Sequence, residues 1–413
     1  MTSRDPVHPL GSLQRDNPPP TAGRPRWFES GTAHSIGWQA LGSAATVGAA
    51  LWISWQFGLA AQGEFGLAKS WFDAAAAWAC LGVPQGLLHM QYHAKVPPTA
   101  LKPWIRRYVT AVGATALLLA GLLWFGGWRL AAWAALSVPF AVTHLIARSL
   151  ILPQRGAACF GAATAVPALC VLAGVAVLVA LNHAMDFDAL LLAATILAAL
   201  ITATMAWPRG QQAVPFGWST ATLWQASLQS WLQQALAAAL SAALLSTVVV
   251  GGHGALALGE ASLALQFYQV FVVLATYASP LVYDRVARSS DRGALVSSWN
   301  TRWMWGALVG GVVTIPLACW AWQSDARGAA ALLAAGLMVP AGCAAVAARL
   351  AATILLARGR YTELSVQALC RLLLGVGLLW FVSRILPAAA AVAVTLLVLE
   401  PLTWWRCQRV IAS

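Results

Sequence analysis

The hexapeptide Gly63-Glu64-Phe65-Gly66-Leu67-Ala68 has a counterpart 196 residues later in Gly259-Glu260-Ala261-Ser262-Leu263-Ala264, and each copy opens a long apolar run. The same offset carries Pro84 onto Pro280, near the far end of each run. Trp38-Gln39-Ala40 reappears as Trp224-Gln225-Ala226, and Ile151-Leu152-Pro153-Gln154-Arg155-Gly156 resembles Ile354-Leu355-Leu356-Ala357-Arg358-Gly359. These matches keep their order, and the members of each lie six apolar runs apart. They read as a duplicated six-helix unit.

Composition sets the environment of those runs. Of 413 residues, 60% are apolar and 9% charged, against about 25% charged in a soluble domain. Mean hydropathy is +0.71. Twenty-two tryptophans fit long lipid-facing and interfacial surfaces. A secreted disulfide scaffold, a nucleic-acid binder and a cytosolic enzyme are poor readings. The seven cysteines stand singly and form no C-x-x-C pair, so they read as small buried side chains rather than a metal site.

A crossing helix needs about 20 mostly apolar residues. Twelve such runs are present, at about 34–58, 66–90, 106–126, 130–152, 157–181, 188–207, 220–250, 260–283, 302–321, 329–356, 362–384 and 388–405. With residues 1–33 inside, one side collects Lys95, Lys102, Arg106, Arg107, Arg148, Arg155, Arg209, Arg285, Arg288, Arg292, Arg302, Arg349, Arg358, Arg360, Arg406 and Arg409. The other side keeps Arg129, Arg327 and Arg384. That asymmetry is the positive-inside pattern, and it puts both termini in the cytoplasm. The expected fold class is an all-α polytopic membrane protein, with twelve transmembrane helices in two parallel six-helix lobes around a central cavity. Its parts are a polar, Pro-rich cytoplasmic tail (1–33), an N-lobe (34–207), a cytoplasmic linker (208–219) and a C-lobe (220–413). Lobes with the same orientation are related by an axis along the membrane normal, and the substrate path runs between them.

The stretch Phe57-Gly58-Leu59-Ala60-Ala61-Gln62-Gly63-Glu64-Phe65-Gly66-Leu67-Ala68 resembles the L-G-x-x-x-F/Y-G segment between the first two helices of polysaccharide-type flippases. These belong to the multidrug/oligosaccharidyl-lipid/polysaccharide exporter superfamily. Leu81-Gly82-Val83-Pro84-Gln85-Gly86-Leu87-Leu88 is similar to that family's L-G-L-P-x-x-L ending of helix two. Pro280 to Arg288 resembles the exit of helix eight, and Ala357-Arg358-Gly359-Arg360 with Ala388 to Val394 resembles the pattern around helices eleven and twelve. Departures are Pro387-Ala388-Ala389 in place of a Gly-rich turn, and His89 where a basic Arg or Lys is common. The resemblance implies a flippase that moves a polyprenyl-diphosphate-linked oligosaccharide, of exopolysaccharide or O-antigen type, to the outer leaflet by alternating access. It would be a monomer in the inner (cytoplasmic) membrane, working beside glycan-assembly enzymes.

Polar groups inside a span are expensive and mark a cavity or a partner. Arg371 lies roughly 13 Å into the eleventh run at 1.5 Å per residue. It reads either as a phosphate contact, given bidentate guanidinium geometry, or as a partner of Glu363, Glu400 or backbone carbonyls. Lys69 and Asp73, four residues apart on one helical face, read as a cavity pair with Asp73 as a site for a coupling ion (H+ or Na+), or as a local pair that neutralises itself. Gln225, Gln229 and Gln233 form a stripe flanked by Trp224 and Trp231. With Gln266, Gln269 and Tyr277, and with Gln39, Ser43 and Thr46, they suit sugar hydroxyls in a wet cavity; interhelical hydrogen bonds are the plain alternative. His144 reads as an interhelical donor, and His89 and His93 as interface residues beside Lys95.

No Walker lysine loop, metal-spaced cluster or cofactor motif occurs in the sequence, and no enzymatic activity is expected. Two other functions stay open. A cation-coupled exporter of small amphipathic molecules in the same superfamily would use Asp73. A membrane-embedded glycan polymerase or ligase would need a catalytic acid among Glu64, Asp186, Asp188 and Asp325. The topology is directly testable in a cysteine-free chain. Single cysteines at Gly63, Ala184 and Gly254 should label with an impermeant maleimide from outside the cell, and ones at Val96, Ser290 and Gly359 should not. Outside labelling at Ser290 breaks the two-lobe arrangement.

Overall fold

The computed structural model describes residues 30–92, 94–181, 186–207, 217–288, 294–323 and 329–412. Nearly all of the N-terminal tail, most of the linker, His93 and Asp325 lie outside the described residues, as do the side chains of Tyr277 and Pro280. The N-terminal half comprises α1 (Ser30–Ala79), α2 (Val83–Tyr92), α3 (Pro98–Phe125), α4 (Arg129–Leu181) and α5 (Phe187–Ala206). The C-terminal half comprises α6 (Thr220–Val250), α7 (Gly254–Arg288), α8 (Ala294–Gln323), α9 (Ala329–Ala357), α10 (Tyr361–Val382) and α11 (Ala388–Ala412). Among the described residues, nine helices are long and apolar enough to cross a membrane.

Two of these helices are double. α1 has 50 residues and α4 has 53, more than twice the about 20 that a bilayer needs. Each is interrupted once, at Gly58 (φ 87°) and at Gly156 (φ 78°), both left-handed conformations open to glycine. The first two crossings, and likewise the fourth and fifth, are therefore joined by a single kinked residue. Hydropathy alone leaves loops of several residues there. The second crossing continues into α2 through a break at Leu81 and Gly82, both with positive φ. With α1 and α4 counted double the nine give eleven crossings, and the 30-residue α8 is the twelfth. Each half then makes six, and the fold is an all-helical bundle of twelve in two lobes.

The break in the second crossing frees backbone carbonyls. Val83 N turns to Cys80 O (2.8 Å), so Ala79 O loses its helical donor. Tyr108 Oη of α3 donates to Ala79 O at 2.7 Å, and Trp231 Nε1 of α6 donates to Trp78 O at 3.0 Å. One cap comes from the same lobe and the other from the opposite lobe.

The lobes meet where the sequence repeats. A Cβ on Gly63 would come within 2.7 Å of Gly259 N, and one on Gly66 within 1.8 Å of Ser262 Oγ. Both pairs are 196 residues apart, so equivalent positions touch each other. Self-contact of equivalent positions is what a two-fold relation between lobes produces. Gly58 and Gly254, also 196 apart, share a positive φ. So do Gly156 and Gly359, each directly after the Arg of its Arg-Gly turn. The Trp38-Gln39-Ala40 and Trp224-Gln225-Ala226 triplets are 186 apart and miss this register by ten residues. They stand at different depths, so this one sequence match does not belong to the repeat.

Packing inside the lobes follows residue size. The N-lobe core gathers Ile53, Phe65, Phe72 and Val175 against α5, with Phe65 and Phe187 edge-on at 5.8 Å. In the C-lobe the run Ala388–Ala393 of α11 and Ala341, Ala344 and Ala345 of α9 are almost wholly buried. Small side chains let helix backbones approach closely where lipid supplies no hydrophobic drive. Leu118, Leu122 and Phe125 of α3 point outward instead. Trp124 under Arg129 and Trp380 under Arg384 mark one interfacial level in both lobes. All seven cysteines are free.

Gly66→Leu should open the Gly63–Gly259 seam, because the added side chain has no room beside Ser262. Overpacking of this kind costs about 1–3 kcal/mol. The check is the maleimide reactivity of Gln62→Cys, buried in the sealed seam, which should rise in the Gly66→Leu background.

Candidate functional site: a cavity between the lobes

Between the Gly58 end of the bundle and the linker end lies a cavity of about 490 Å³ bounded by both lobes. That is within the range of ligand pockets, about 300–1,000 Å³. The N-lobe wall carries Gln39, Ser43 and Thr46 from the first crossing, Lys69 and Asp73 from the second, and Thr164 from α4. The C-lobe wall carries Ser241 of α6, Gln266, Tyr268 and Gln269 of α7, Arg349 of α9 and Arg371 of α10. Gly66 and Ser262, where the lobes touch, also face it. Gln62 Nε2 reaches across this contact to Ser262 Oγ (3.1 Å, buried). Gln62 Oε1 finds no hydrogen-bond partner there.

Helical spacing places these groups. Gln39, Ser43 and Thr46 are successively four and three residues apart, and Gln266 and Gln269 are three apart, so each set shares one face. Ser43 Oγ and Thr46 Oγ1 donate to carbonyls one turn back, Gln39 O and Gly42 O, both at 3.0 Å. Gln269 Nε2 donates to Ser241 Oγ at 3.4 Å. These local bonds leave acceptor capacity directed at the cavity.

The charged residues pair within their own lobes. Lys69 Nζ lies 2.6 Å from Asp73 Oδ2 across one helical turn, with both side chains partly exposed. Arg371 is buried and forms an ion pair with Glu400 of α11, also buried. Tyr268 completes a triad: Arg371 Nη2 donates to Tyr268 Oη at 2.8 Å, and Tyr268 Oη donates to Glu400 Oε1 at 2.6 Å. Among the described residues Arg371 Nε and Glu400 Oε2 have no hydrogen-bond partner. Glu363 bonds Arg360 (2.8 Å) in the exposed first turn of α10 instead.

Of the residues singled out by sequence, Lys69, Asp73, Gln39, Gln266, Gln269 and Arg371 line the cavity. Gln225, Gln229 and Gln233 do not. The first two are exposed, and the cavity begins at Ala237, one turn beyond Gln233. Their stripe therefore lies between the cavity and the linker end. Glu400 reads as a helix-end residue when the twelfth run is stopped at about 405, but α11 continues to Ala412 and leaves it mid-helix. Arg349 reads as an edge residue because it lies eight positions before the end of α9; in the structure it reaches the cavity. The signal for it is a single arginine, between Ala348 and Leu350, inside an otherwise uncharged run.

Other candidates have structural work. His144 Nδ1 is 3.2 Å from Thr202 Oγ1 in a buried bond between α4 and α5. Asp186 caps α5, accepting from Asp188 N and Ala189 N at 3.1 Å each. Among the described residues no group of three or more His, Cys, Asp or Glu could hold a metal ion.

Two six-crossing lobes about a two-fold axis with a cavity between them make a fold known from membrane transporters. No family model matches the sequence. No curated protein matches it. Solved structures do. An inward-facing multidrug resistance MATE family transporter of the MOP superfamily superposes with a TM-score of 0.61 at 13% identity, covering 92% of this chain and 98% of that one. An outward-facing structure described in the same words gives 0.58 at 12%, covering 92% and 96%. A Vibrio cholerae MATE transporter gives 0.60 at 13%, covering 93% and 97%. The chain has the MATE fold.

The buried triad makes a quantitative demand. Removing one member of a buried ion pair strands the other and costs about 3–5 kcal/mol. Arg371→Met and Glu400→Leu should each lower the melting temperature in detergent steeply, and the double variant should recover most of the loss. Equal melting of the single variants and the wild type would show that the pair is not holding α10 to α11.

Proposed function

We propose that this chain is a multi-pass exporter that carries an amphipathic molecule through the central cavity by alternating access of its two lobes. The observation that carries this is a cavity walled by both lobes at a seam of small residues. Such a seam can part at the Gly58 end while the core within each lobe stays packed. At the linker end Leu223, Trp218 and Trp224 pack into the N-lobe cluster around Leu87 and Trp104, and that contact has to open for the other end to part. The MATE-fold neighbours, described as multidrug transporters, support small-molecule export. Lys69 and Asp73 are partly exposed on the cavity wall, which supports Asp73 as the site where a coupling ion, H+ or Na+, exchanges.

A second reading is the lipid-linked oligosaccharide flippase. It is supported by the Phe57–Ala68 and Leu81–Leu88 resemblances and by a lining rich in amide and hydroxyl groups. In that reading polyprenyl-diphosphate-linked glycan is the partner, and Arg371 stands in the cavity wall with its charge already met by Glu400. Either reading takes the cytoplasmic membrane as the location, with the linker end facing the cytoplasm on the evidence of arginine and lysine placement.

Spin-label distances test the shared mechanism. With the seven cysteines replaced, labels at Trp55 and Leu256 report the Gly58 end and labels at Ile36 and Leu228 the linker end; all four positions are exposed. Alternating access predicts that one distance lengthens as the other shortens when substrate or coupling ion is added. Distances that change together or not at all reject it. Deletion then separates the readings: a rise in retained rhodamine 6G marks small-molecule export, and build-up of cytoplasm-facing lipid-linked glycan marks the flippase.

A further inference from the structure

A second, smaller cavity of about 20 Å³ lies at the linker end of the N-lobe, away from the space between the lobes. Three helices meet there: α3 begins, the first half of α4 ends and α5 ends. Thr99 and Lys102 of α3, Gln154 of α4 and Trp207 beyond α5 form its walls, over an apolar floor of Leu150 and Ala206. Its polar groups are donors in want of an acceptor. Gln154 Nε2 is buried and has no hydrogen-bond partner among the described residues, and a buried donor left unmade is costly. Lys102 is exposed and makes no ion pair among the described residues. Thr99 stands in the first turn of α3, which no side chain caps, and the free amides and dipole of such a turn favour a negative group.

No acid answers these donors. The described N-lobe holds four acids, Glu64, Asp73, Asp186 and Asp188, and none of them stands at the linker end. Lys95, Arg106, Arg107 and Arg155 are exposed at that end as well. The positive-inside pattern accounts for the number of cations, but it asks for neither a cavity nor a buried unpaired amide. Size narrows the ligand. A water-sized group needs about 10–15 Å³ of such space, so the cavity takes one oxygen and the rest of the ligand stands outside, beside Lys102. That outside is the membrane interface, where basic pockets between helices take anionic headgroups.

We propose that this cavity seats one phosphoryl oxygen of an anionic lipid headgroup from the leaflet at the linker end. Gln154 Nε2 donates to that oxygen from within, and Lys102 meets the charge from outside. The site is independent of what the central cavity carries. It bears on the lobes all the same, because Trp104, two residues after Lys102, is the ring against which Trp218 and Trp224 of the linker end pack edge-on, at 6.4 and 5.8 Å. A headgroup that ties the first turn of α3 to α4 and α5 steadies the N-lobe side of that contact.

The test uses the purified full chain in detergent, with bound lipid counted by native mass spectrometry. The probes are dioleoyl phosphatidylglycerol, dioleoyl phosphatidylcholine and inorganic phosphate. Phosphatidylglycerol should bind more tightly than phosphatidylcholine, and Lys102→Gln should weaken it about fivefold, the effect of one basic side chain at an anionic headgroup. Gln154→Leu should weaken it about tenfold or more, as loss of a buried bond to a charged group does. In lipid-free detergent the same Gln154→Leu chain should melt no lower than the wild type, because it removes an unpaired donor; a purely structural glutamine would lower melting with or without lipid. Arg107→Gln, outside the cavity, should change little. If Gln154→Leu does not accumulate, Lys102→Gln against Arg107→Gln decides, since both positions are exposed. Equal losses from those two, with or without an effect of Gln154→Leu, mean diffuse charge and overturn the site. Inorganic phosphate that displaces the lipid at equal concentration overturns the lipid assignment in favour of a free phosphate. Equal binding of both lipids, unmoved by any variant, overturns the proposal and leaves the cavity to water.

Discussion

The close approach of Gly63 and Gly66 to Gly259 and Ser262 is the constraint on which the arrangement of the lobes depends. These pairs lie on the relation between the repeats, so a side chain at one position has to share space with its own equivalent. Only hydrogen and hydroxymethyl side chains satisfy that condition at this separation. Because the seam is narrow, the second crossing and α7 close the cavity at one end, and the cavity itself lies where the helices diverge beyond Ser262. The left-handed turns at Gly58 and Gly254 then set where each of those helices begins. A bulky pair at the seam would not merely weaken a contact. It would move the axis and change every distance across the cavity.

Neutralisation inside each lobe is the second organising feature. Lys69 answers Asp73 in the N-lobe, and Glu400 answers Arg371 in the C-lobe. Neither pair crosses the cavity, so neither resists separation of the lobes. Direct contacts between lobes are instead short-range: glycine against backbone, Gln62 against Ser262, the Trp231 indole against Trp78 O, Trp71 against Ser246, and Leu223, Trp218 and Trp224 against the cluster around Trp104. Short-range contacts vanish over a small displacement, whereas unscreened charge pairs in a low dielectric would act over many ångströms. The division suits two rigid bodies that move relative to each other.

The sequence made the architecture legible for a physical reason. Twelve apolar runs, the lopsided arginines and the Gly63/Gly259 repeat are one-dimensional consequences of the bilayer and of duplication. The joints were less legible. Gly58 and Gly156 reverse the chain within a single residue, and hydropathy cannot tell a kink from a loop. In the site, Gln39, Lys69, Asp73, Gln266, Gln269 and Arg371 were recognisable as polar residues in apolar runs. Gln225, Gln229 and Gln233 carried the same signal at the wrong depth, and depth is set by packing register rather than composition. Glu400 was one of the partners that the sequence offered Arg371, and it is the one the structure takes. Arg349 was obscured by an uncertain helix end, since a shift of a few residues moves a charge from interface to interior. The Tyr268 hydroxyl, which bridges Arg371 and Glu400, has no one-dimensional signature.

Gln62 carries a consequence for kinetics. Its amide nitrogen is satisfied across the seam, but its carbonyl oxygen is buried with nothing to accept from. An orphaned buried acceptor costs about 1–3 kcal/mol, and that strain exists only while the lobes are shut at this end. Water relieves it as soon as they part. The closed end is thus held less firmly than its tight packing implies. In the alternating-access cycle proposed above, a glutamine in place of an apolar residue would keep the two ends close in free energy, where a perfectly satisfied seam would bind itself too well to turn over.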